Sequence, residues 1–367
     1  MNTKIKNIVT AGACAAFIFG FGIWSIVQPE KTVSDTERRP LAKFPQASAE
    51  SIMNGSFMSD FEKYTLDHFP LRDGFRTLKS VAALYVMGQR DNNDIYIAEG
   101  YASRLEYPLD EDSISYAAER FSFVYDKYLK DSGANVYLSV IPDKNYFLAE
   151  KHGYPALDYT ELTEQLREQM SWAEYIDIFP LLELSDYYRT DTHWRQERIE
   201  DVAAALSSGM GAEISGEYEK KELDKGFYGV YYGQSALPLG AEKLYYLENE
   251  TLKNCTVYDY ETNAEMPIYD MEKAYGADSY EMFLSGSKSL LRIDNPAAEN
   301  DRTLVVFRDS FGSSMAPLLA QGYAKVTVVD IRYMASALVA RFVDLSQADD
   351  VLFLYSTSVL NHSETIQ

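Results

Sequence analysis

Ile8 to Val27 is an unbroken run of twenty positions without a charge, and as a helix it matches the hydrocarbon thickness of a bilayer. Lys4 and Lys6 precede it. From Pro29 to Pro45 the composition turns polar, and its stretch S-D-T-E-R-R-P-L-A-K-F-P has no periodicity and two prolines, which predicts an extended linker. Between Ser51 and Met87 apolar residues return at spacings of three and four (Phe57, Phe61, Tyr64, then Phe75, Leu78, Val81, Ala82, Tyr85). That pattern predicts two amphipathic helices, split at Phe69-Pro70.

Next the pattern alternates between short apolar runs and helical spacing. Asp94 to Ala98 and Ala134 to Ile141 are expected strands, and Ser115 to Leu129 and Thr160 to Glu174 are expected helices. Ile176 to Ile178 is a further expected strand, followed by a helix through Leu181, Leu182 and Leu184, and Gln196 to Ser208 is another helix. From Gly216 to Asp294 the rhythm breaks into short strands and loops crowded with tyrosines, among them Tyr228, Tyr231, Tyr232, Tyr245 and Tyr246. Plain aromatic packing accounts for these, although tyrosine also stacks on sugar faces. Strand, helix, strand, helix, strand follow over Thr303 to Asp330 and on to Tyr355. The fold class predicted is α/β, a mostly parallel sheet with flanking helices and a Tyr-rich insert.

The formal net charge of -22 argues against nucleic-acid backbones and against a polybasic mode of membrane attachment, because both need a positive face. Cys14 and Cys255 are the only cysteines, too far apart in context to pair, and no Cys/His zinc spacing occurs. Because lysines flank only the amino side of the apolar run, the amino end is expected in the cytoplasm and everything after Gln28 outside. A cleaved signal peptide competes with this, but no small-x-small site follows the run before Pro29 and Glu30, which favours an uncleaved anchor.

Candidate chemistry centres on Thr303 to Ser314. An apolar run (Leu304 to Phe307) ends at Arg308, and small polar residues then open a helix, so Ser310 falls at the carboxyl end of a strand where free amides and the helix dipole meet. As a plain strand-to-helix turn, the same stretch would use Asp309 or Ser310 only as a cap. Four histidines narrow the choice of base. His193 lies two residues after Asp191, so in an extended segment the carboxylate reaches one imidazole nitrogen and leaves the other free to take a proton from Ser310. Asp191 and His193 together lack a convincing third ligand for a metal, and no cofactor or metal is predicted.

The segments D-T-H-W and V-V-F-R-D-S-F-G, with E-R-R-P-L-A-K-F-P, Y-T-L-D-H-F-P-L-R-D, V-I-P-D-K and V-V-D-I-R-Y around them, resemble the DHHW and alginate O-acetyltransferase (AlgX/AlgJ-like) families of SGNH-hydrolase-like proteins. The resemblance implies a triad of Asp191, His193 and Ser310, in an order permuted relative to ordinary SGNH esterases. Arg308 stands where the G-D-S block has glycine, and no G-x-N-D is present. Arg332 is the extra cationic candidate by resemblance, with structural pairing to Asp330 or Asp309 as its alternative. Asn361, after the last strand, is a candidate amide for the oxyanion. The implied activity is O-acetylation of a cell-surface polysaccharide, with a polytopic membrane-bound O-acyltransferase supplying acetyl groups across the bilayer. A carbohydrate esterase and a non-catalytic polysaccharide- or wall-binding protein are the alternatives. The expected organisation is a cytoplasmic stub (1–6), a transmembrane anchor (7–28), an extracellular linker (29–50) and one SGNH-like domain (51–367) containing the insert at 216–294.

Overall fold

The computed structural model describes residues 3–214 and 217–367. Met1 and Asn2 of the expected stub, and Gly216 at the start of the expected insert, lie outside them. The chain divides into two compact units, one of residues 1–93 with 232–238, the other of 94–231 with 239–367. Residues 51–93, expected in the main domain, thus cluster with the linker and the amino-terminal helix.

In the first unit α1 (Thr3–Val27) is long and apolar enough to cross a membrane, and none of its residues is buried. The linker residues Val33–Ser34 and Arg39–Pro40 pair as a short antiparallel ribbon. Three helices follow: α2 (Ala49–Met53), α3 (Ser56–Asp67) and α4 (Arg72–Val81), the last prolonged by a π turn over Ala82–Val86. The break between α3 and α4 falls at Pro70, as the missing amide and ring clash of proline require. Asp67 closes the break on the linker, accepting from Arg39 Nη1 at 2.9 Å and from the Ala42 amide at 2.9 Å.

The second unit is built on an eight-stranded sheet. Its strands are β1 (Asn135–Ile141), β2 (Glu174–Tyr175), β3 (Thr256–Asp259), β4 (Ala264–Met266), β5 (Leu290–Asp294), β6 (Thr303–Arg308), β7 (Lys325–Val329) and β8 (Asp350–Ser356). They run in the order β4-β3-β5-β7-β6-β8-β1-β2, and the five from β7 to β2 are parallel. β5, β3 and β4 extend the sheet antiparallel. The second half of the Tyr-rich stretch therefore continues the sheet, because Val257, Leu291 and Ile293 supply buried, alternating apolar positions.

β6 lies between β7 and β8 and is buried on both faces, which is why it reads as a continuous apolar run. Leu304 and Val306 point into one core with Val202, Leu206, Met315 and Leu318, from α8 (Glu200–Gly209) and a helix after β6. Val305 and Phe307 point into the other, with Ile114, Phe121 and Leu162. Those come from α5 (Glu111–Val124) and α7 (Tyr159–Gln169), while α6 (Lys144–His152) follows β1 directly. The strand expected at Ile176–Ile178 is shifted to Glu174–Tyr175, and the helix expected through Leu181–Leu184 is two 3-10 turns, Phe179–Leu181 and Leu184–Asp186, with Pro180 in the first. The second of the two helices expected between Thr303 and Tyr355 is likewise a 3-10 segment, Ser336–Arg341.

Candidate active site

Parallel strands end together, so the carboxyl ends of β6, β8 and β1 deliver Asp309-Ser310, Ser356-Thr357 and Asp143-Lys144 to one rim of the sheet. The turn after β6 is set by Asp309, whose Oδ1 accepts the Phe311 amide at 3.0 Å and whose Oδ2 accepts the Ser356 amide (2.8 Å) and hydroxyl (2.6 Å). The six-residue β6, the seven-residue β8 beside it and a buried carboxylate tying the two together fix Ser310 at the start of α9 (Gly312–Leu319). Gly312 is required there, because a Cβ would lie 2.5 Å from Arg308 Cβ. The Ser310 amide donates to no acceptor among the described residues.

His193 Nε2 lies 2.7 Å from Ser310 Oγ, and His193 Nδ1 lies 2.6 Å from Asp191 Oδ1. Asp191 Oδ1 also accepts the His193 amide at 3.1 Å, the short-range pairing expected for residues two apart. Its Oδ2 accepts the Val230 amide at 2.8 Å. With the buried Asp191 ionised, the ring proton resides on Nδ1, and Nε2 faces the serine as an acceptor. The three residues expected from the sequence thus form one hydrogen-bonded line. The other histidines are engaged elsewhere: His68 with the Ala42 carbonyl, His152 with Glu99 and His362 with Glu106.

Several side chains that sequence reasoning gave no role hold this line in place. Tyr280 stacks flat on the His193 ring, centroids 3.9 Å apart at 8°, and its hydroxyl meets Ser314 Oγ at 2.9 Å. Trp194 donates to the same Ser314 Oγ at 2.9 Å, so α9 is linked to both residues flanking the imidazole. Glu242 clamps the bend before the aspartate, accepting the Arg189 amide (2.6 Å), the Thr190 amide (2.7 Å) and the Thr190 hydroxyl (2.6 Å). Gly229 passes so close that a Cβ would lie 2.3 Å from both Asp191 Cβ and the Thr190 carbonyl oxygen, and this approach is what brings the Val230 amide to Asp191.

Lys144 is buried, and among the described residues no carboxylate is in direct contact with it. Its Nζ donates to the Tyr188 carbonyl at 2.8 Å and lies 4.9 Å from the Tyr231 ring. Burial pushes its ammonium down to about 7, opposed by the nearby charge of Asp191. The sequence offered only a partial signal here: V-I-P-D-K contributed to the resemblance but named no role for the lysine, and nothing in the spacing marked Tyr280 or Glu242.

The auxiliary candidates are placed elsewhere. Arg332 forms a fork on Asp330, Nε to Oδ1 at 2.9 Å and Nη2 to Oδ2 at 2.6 Å, which is its structural alternative. Fully buried Arg308 shares the same Asp330 at 3.3 Å, so two guanidiniums and one carboxylate stand behind the nucleophile turn. Asn361 is bonded to the turn that opens α5, its Oδ1 accepting the Asp110 amide at 2.8 Å and its Nδ2 donating to the Pro108 carbonyl at 3.1 Å. Its amide oxygen and one of its two N–H groups are therefore engaged at a turn. Among the described residues no group of three or more His, Cys, Asp or Glu side chains is arranged to hold a metal.

Comparison with known proteins bears out the DHHW resemblance. The model of the DHHW protein family matches residues 182–329, a span containing Asp191, His193 and Ser310. The chain is similar to the crystal structure of a DHHW family protein from Eubacterium siraeum, with 22% identity and a TM-score of 0.60 over 75% of this chain and 95% of that one. Bacillus cereus PatB1 with a sulfonyl adduct superposes with a TM-score of 0.58 and 18% identity, over 72% of this chain and 97% of that one. The O-acetyltransferase domain of Pseudomonas putida AlgJ gives a TM-score of 0.45 and 13% identity, covering 73% of this chain and 92% of that one. Among curated proteins none matches the chain.

Proposed function

We propose that this chain, with a DHHW match over residues 182–329, is a membrane-anchored O-acetyltransferase that acts outside the cell on a cell-surface polysaccharide through Asp191, His193 and Ser310. The observation that carries it is the unbroken pair of short contacts, 2.6 Å from carboxylate to imidazole and 2.7 Å from imidazole to hydroxyl, with the serine at a helix start. His193 Nε2 takes the proton of Ser310 as Oγ bonds to the acyl carbon of the donor. The tetrahedral oxyanion is met by the Ser310 amide. The donor's C–O bond then breaks, its oxygen takes the proton from His193, and the acetyl group stays on Ser310. An acceptor hydroxyl gives its proton to the same nitrogen, bonds to the acetyl carbon and releases Ser310, which recovers the proton. Asp191 remains ionised and holds the ring in the tautomer that each proton transfer needs.

α1 supports the anchor, and the flanking lysines support an outside location for everything after it. Acetyl-CoA is absent there, so the donor would come from a polytopic membrane-bound O-acyltransferase. Water in place of the acceptor would make the same triad an esterase. Sulfonyl electrophiles modify activated serine hydroxyls, and the PatB1 structure holds a sulfonyl adduct. Here a sulfonyl fluoride or fluorophosphonate should label the full-length protein at Ser310 and leave Ser310→Ala unlabelled. Label retained in that variant would remove the catalytic reading. Acetyl transfer from an ester donor to oligosaccharide, against release of free acetate alone, separates transferase from esterase.

A further inference from the structure

The helix α4 is folded inside out. Its arginines point inward: Arg72 Nη1 reaches Glu37 at 2.5 Å, and Arg76 Nη2 meets Glu37 at 3.2 Å and the Gly233 carbonyl at 2.8 Å. Ser80 is buried one turn further, accepting from Asn92 Nδ2 at 3.0 Å. The opposite stripe, Leu71, Phe75, Leu78, Tyr85 and Val86, recurs at helical spacing through α4 and its π turn and is between 40% and 78% exposed. Single exposed apolar residues are common, but a continuous stripe opposite an internal charge network calls for an apolar environment outside the chain.

The neighbouring contacts say which one. Phe21 of α1 stacks on Phe69 (centroids 5.3 Å, 6°) and meets Phe75 edge-on at 6.0 Å. Phe21 is six residues before the end of α1, about 9 Å down its axis at the α-helical rise. The apolar stripe thus begins beside a part of α1 that already lies among lipid if α1 crosses the bilayer. Trp24, half exposed near the same end, has the character of an interface residue. Charge agrees: the first unit holds eleven Lys and Arg against nine Asp and Glu, so the whole acidity of the chain falls on the second unit and does not oppose contact with lipid headgroups here.

We infer that the outward face of residues 71–87 lies in the outer interface of the same bilayer that α1 crosses, as a collar of apolar side chains among lipid headgroups and upper acyl chains. The inference rests on the anchor reading of α1. Helices with this kind of face settle about 5–10 Å into the headgroup boundary, within the depth that the Phe21 contacts define. The collar leaves the stripe dry without any second protein.

The test uses the full-length chain with Cys14→Ser and Cys255→Ser, reconstituted in phosphatidylcholine and phosphatidylglycerol vesicles. Single nitroxide labels are introduced through Ile18→Cys, Leu78→Cys, Val86→Cys and, as a water-exposed control in the second unit, Lys253→Cys. Relaxation by oxygen and by a water-soluble nickel chelate is then compared. Leu78 and Val86 should lose nickel relaxation and gain oxygen relaxation relative to Lys253, at a shallower depth than Ile18. A lipid-like Ile18 with water-like Leu78 and Val86 would overturn the collar and leave the anchor standing. A water-like Ile18 would remove the anchor itself. Labels at Leu78 and Val86 that are water-like in vesicles, yet shielded from both agents in native membranes, would assign the stripe to a protein partner and overturn the inference.

Discussion

Two regions of this molecule reverse the usual distribution of polarity, and they do so in opposite ways. At the rim of the sheet, Asp191, Asp309, Arg308 and Lys144 are buried, and each finds most of its partners within the chain. Along α4, Leu71, Leu78 and Val86 are exposed, with none of the described residues covering them. Buried polar groups are tolerated only when their hydrogen bonds are made, and making them fixes geometry, so the first region reads as a preorganised site. Exposed apolar groups gain nothing from the fold, so the second region reads as a surface shaped for its surroundings.

That contrast is open to direct disruption. The largest effect is expected from Asp191→Asn, which keeps the shape but offers the imidazole the wrong hydrogen-bond pattern. Acyl turnover should fall on the order of 10⁴-fold while the melting temperature changes little. Gly229→Ala comes next, because its methyl would displace the Asp191 backbone; a shift of that size should lower the rate of Ser310 labelling by about 10²-fold. Lys144→Met is expected to act on stability through pH. The folded chain holds Lys144 at about 7 while the unfolded chain holds it in the ordinary lysine range, so between these values the unfolded state binds the extra proton and stability rises with pH. Urea midpoints of the native protein should therefore climb relative to the variant from pH 7 upward, and parallel curves would remove the buried ammonium from the picture. The smallest effect is expected from Leu78→Ser. Its side chain is exposed within the first unit, so the unfolding free energy should move by less than about 0.5 kcal/mol, whereas Leu304→Ala in the sheet core should lose about 2–5 kcal/mol. A large loss for Leu78→Ser in detergent would show that the stripe is packed within the chain.

Local pattern determined a good deal by itself. The uncharged run of α1, the break at Pro70, the strands Asn135–Ile141, Thr303–Arg308 and Asp350–Ser356, and the pairing of Asp191 with His193 all follow from spacing along a few residues. Where local chemistry and burial pull the same way, a short window of sequence carries enough free energy to decide the outcome. Tertiary structure alone decided the rest. Tyr280 joins His193 from 87 positions downstream, Gly229 opens the approach that brings the Val230 amide to Asp191, and the end of the Tyr-rich stretch becomes three antiparallel strands on a parallel sheet. Asn361 looked free next to the last strand, but it is drawn to the turn at 108–110 because both ends of its amide find backbone partners there. The amphipathic spacing of α4 was legible; which side faces inward was not, since that choice depends on Glu37 and the carbonyl of Gly233 meeting its arginines from distant parts of the chain. Contacts between segments far apart in sequence leave no periodicity to read, and only the closed fold brings them within hydrogen-bonding distance.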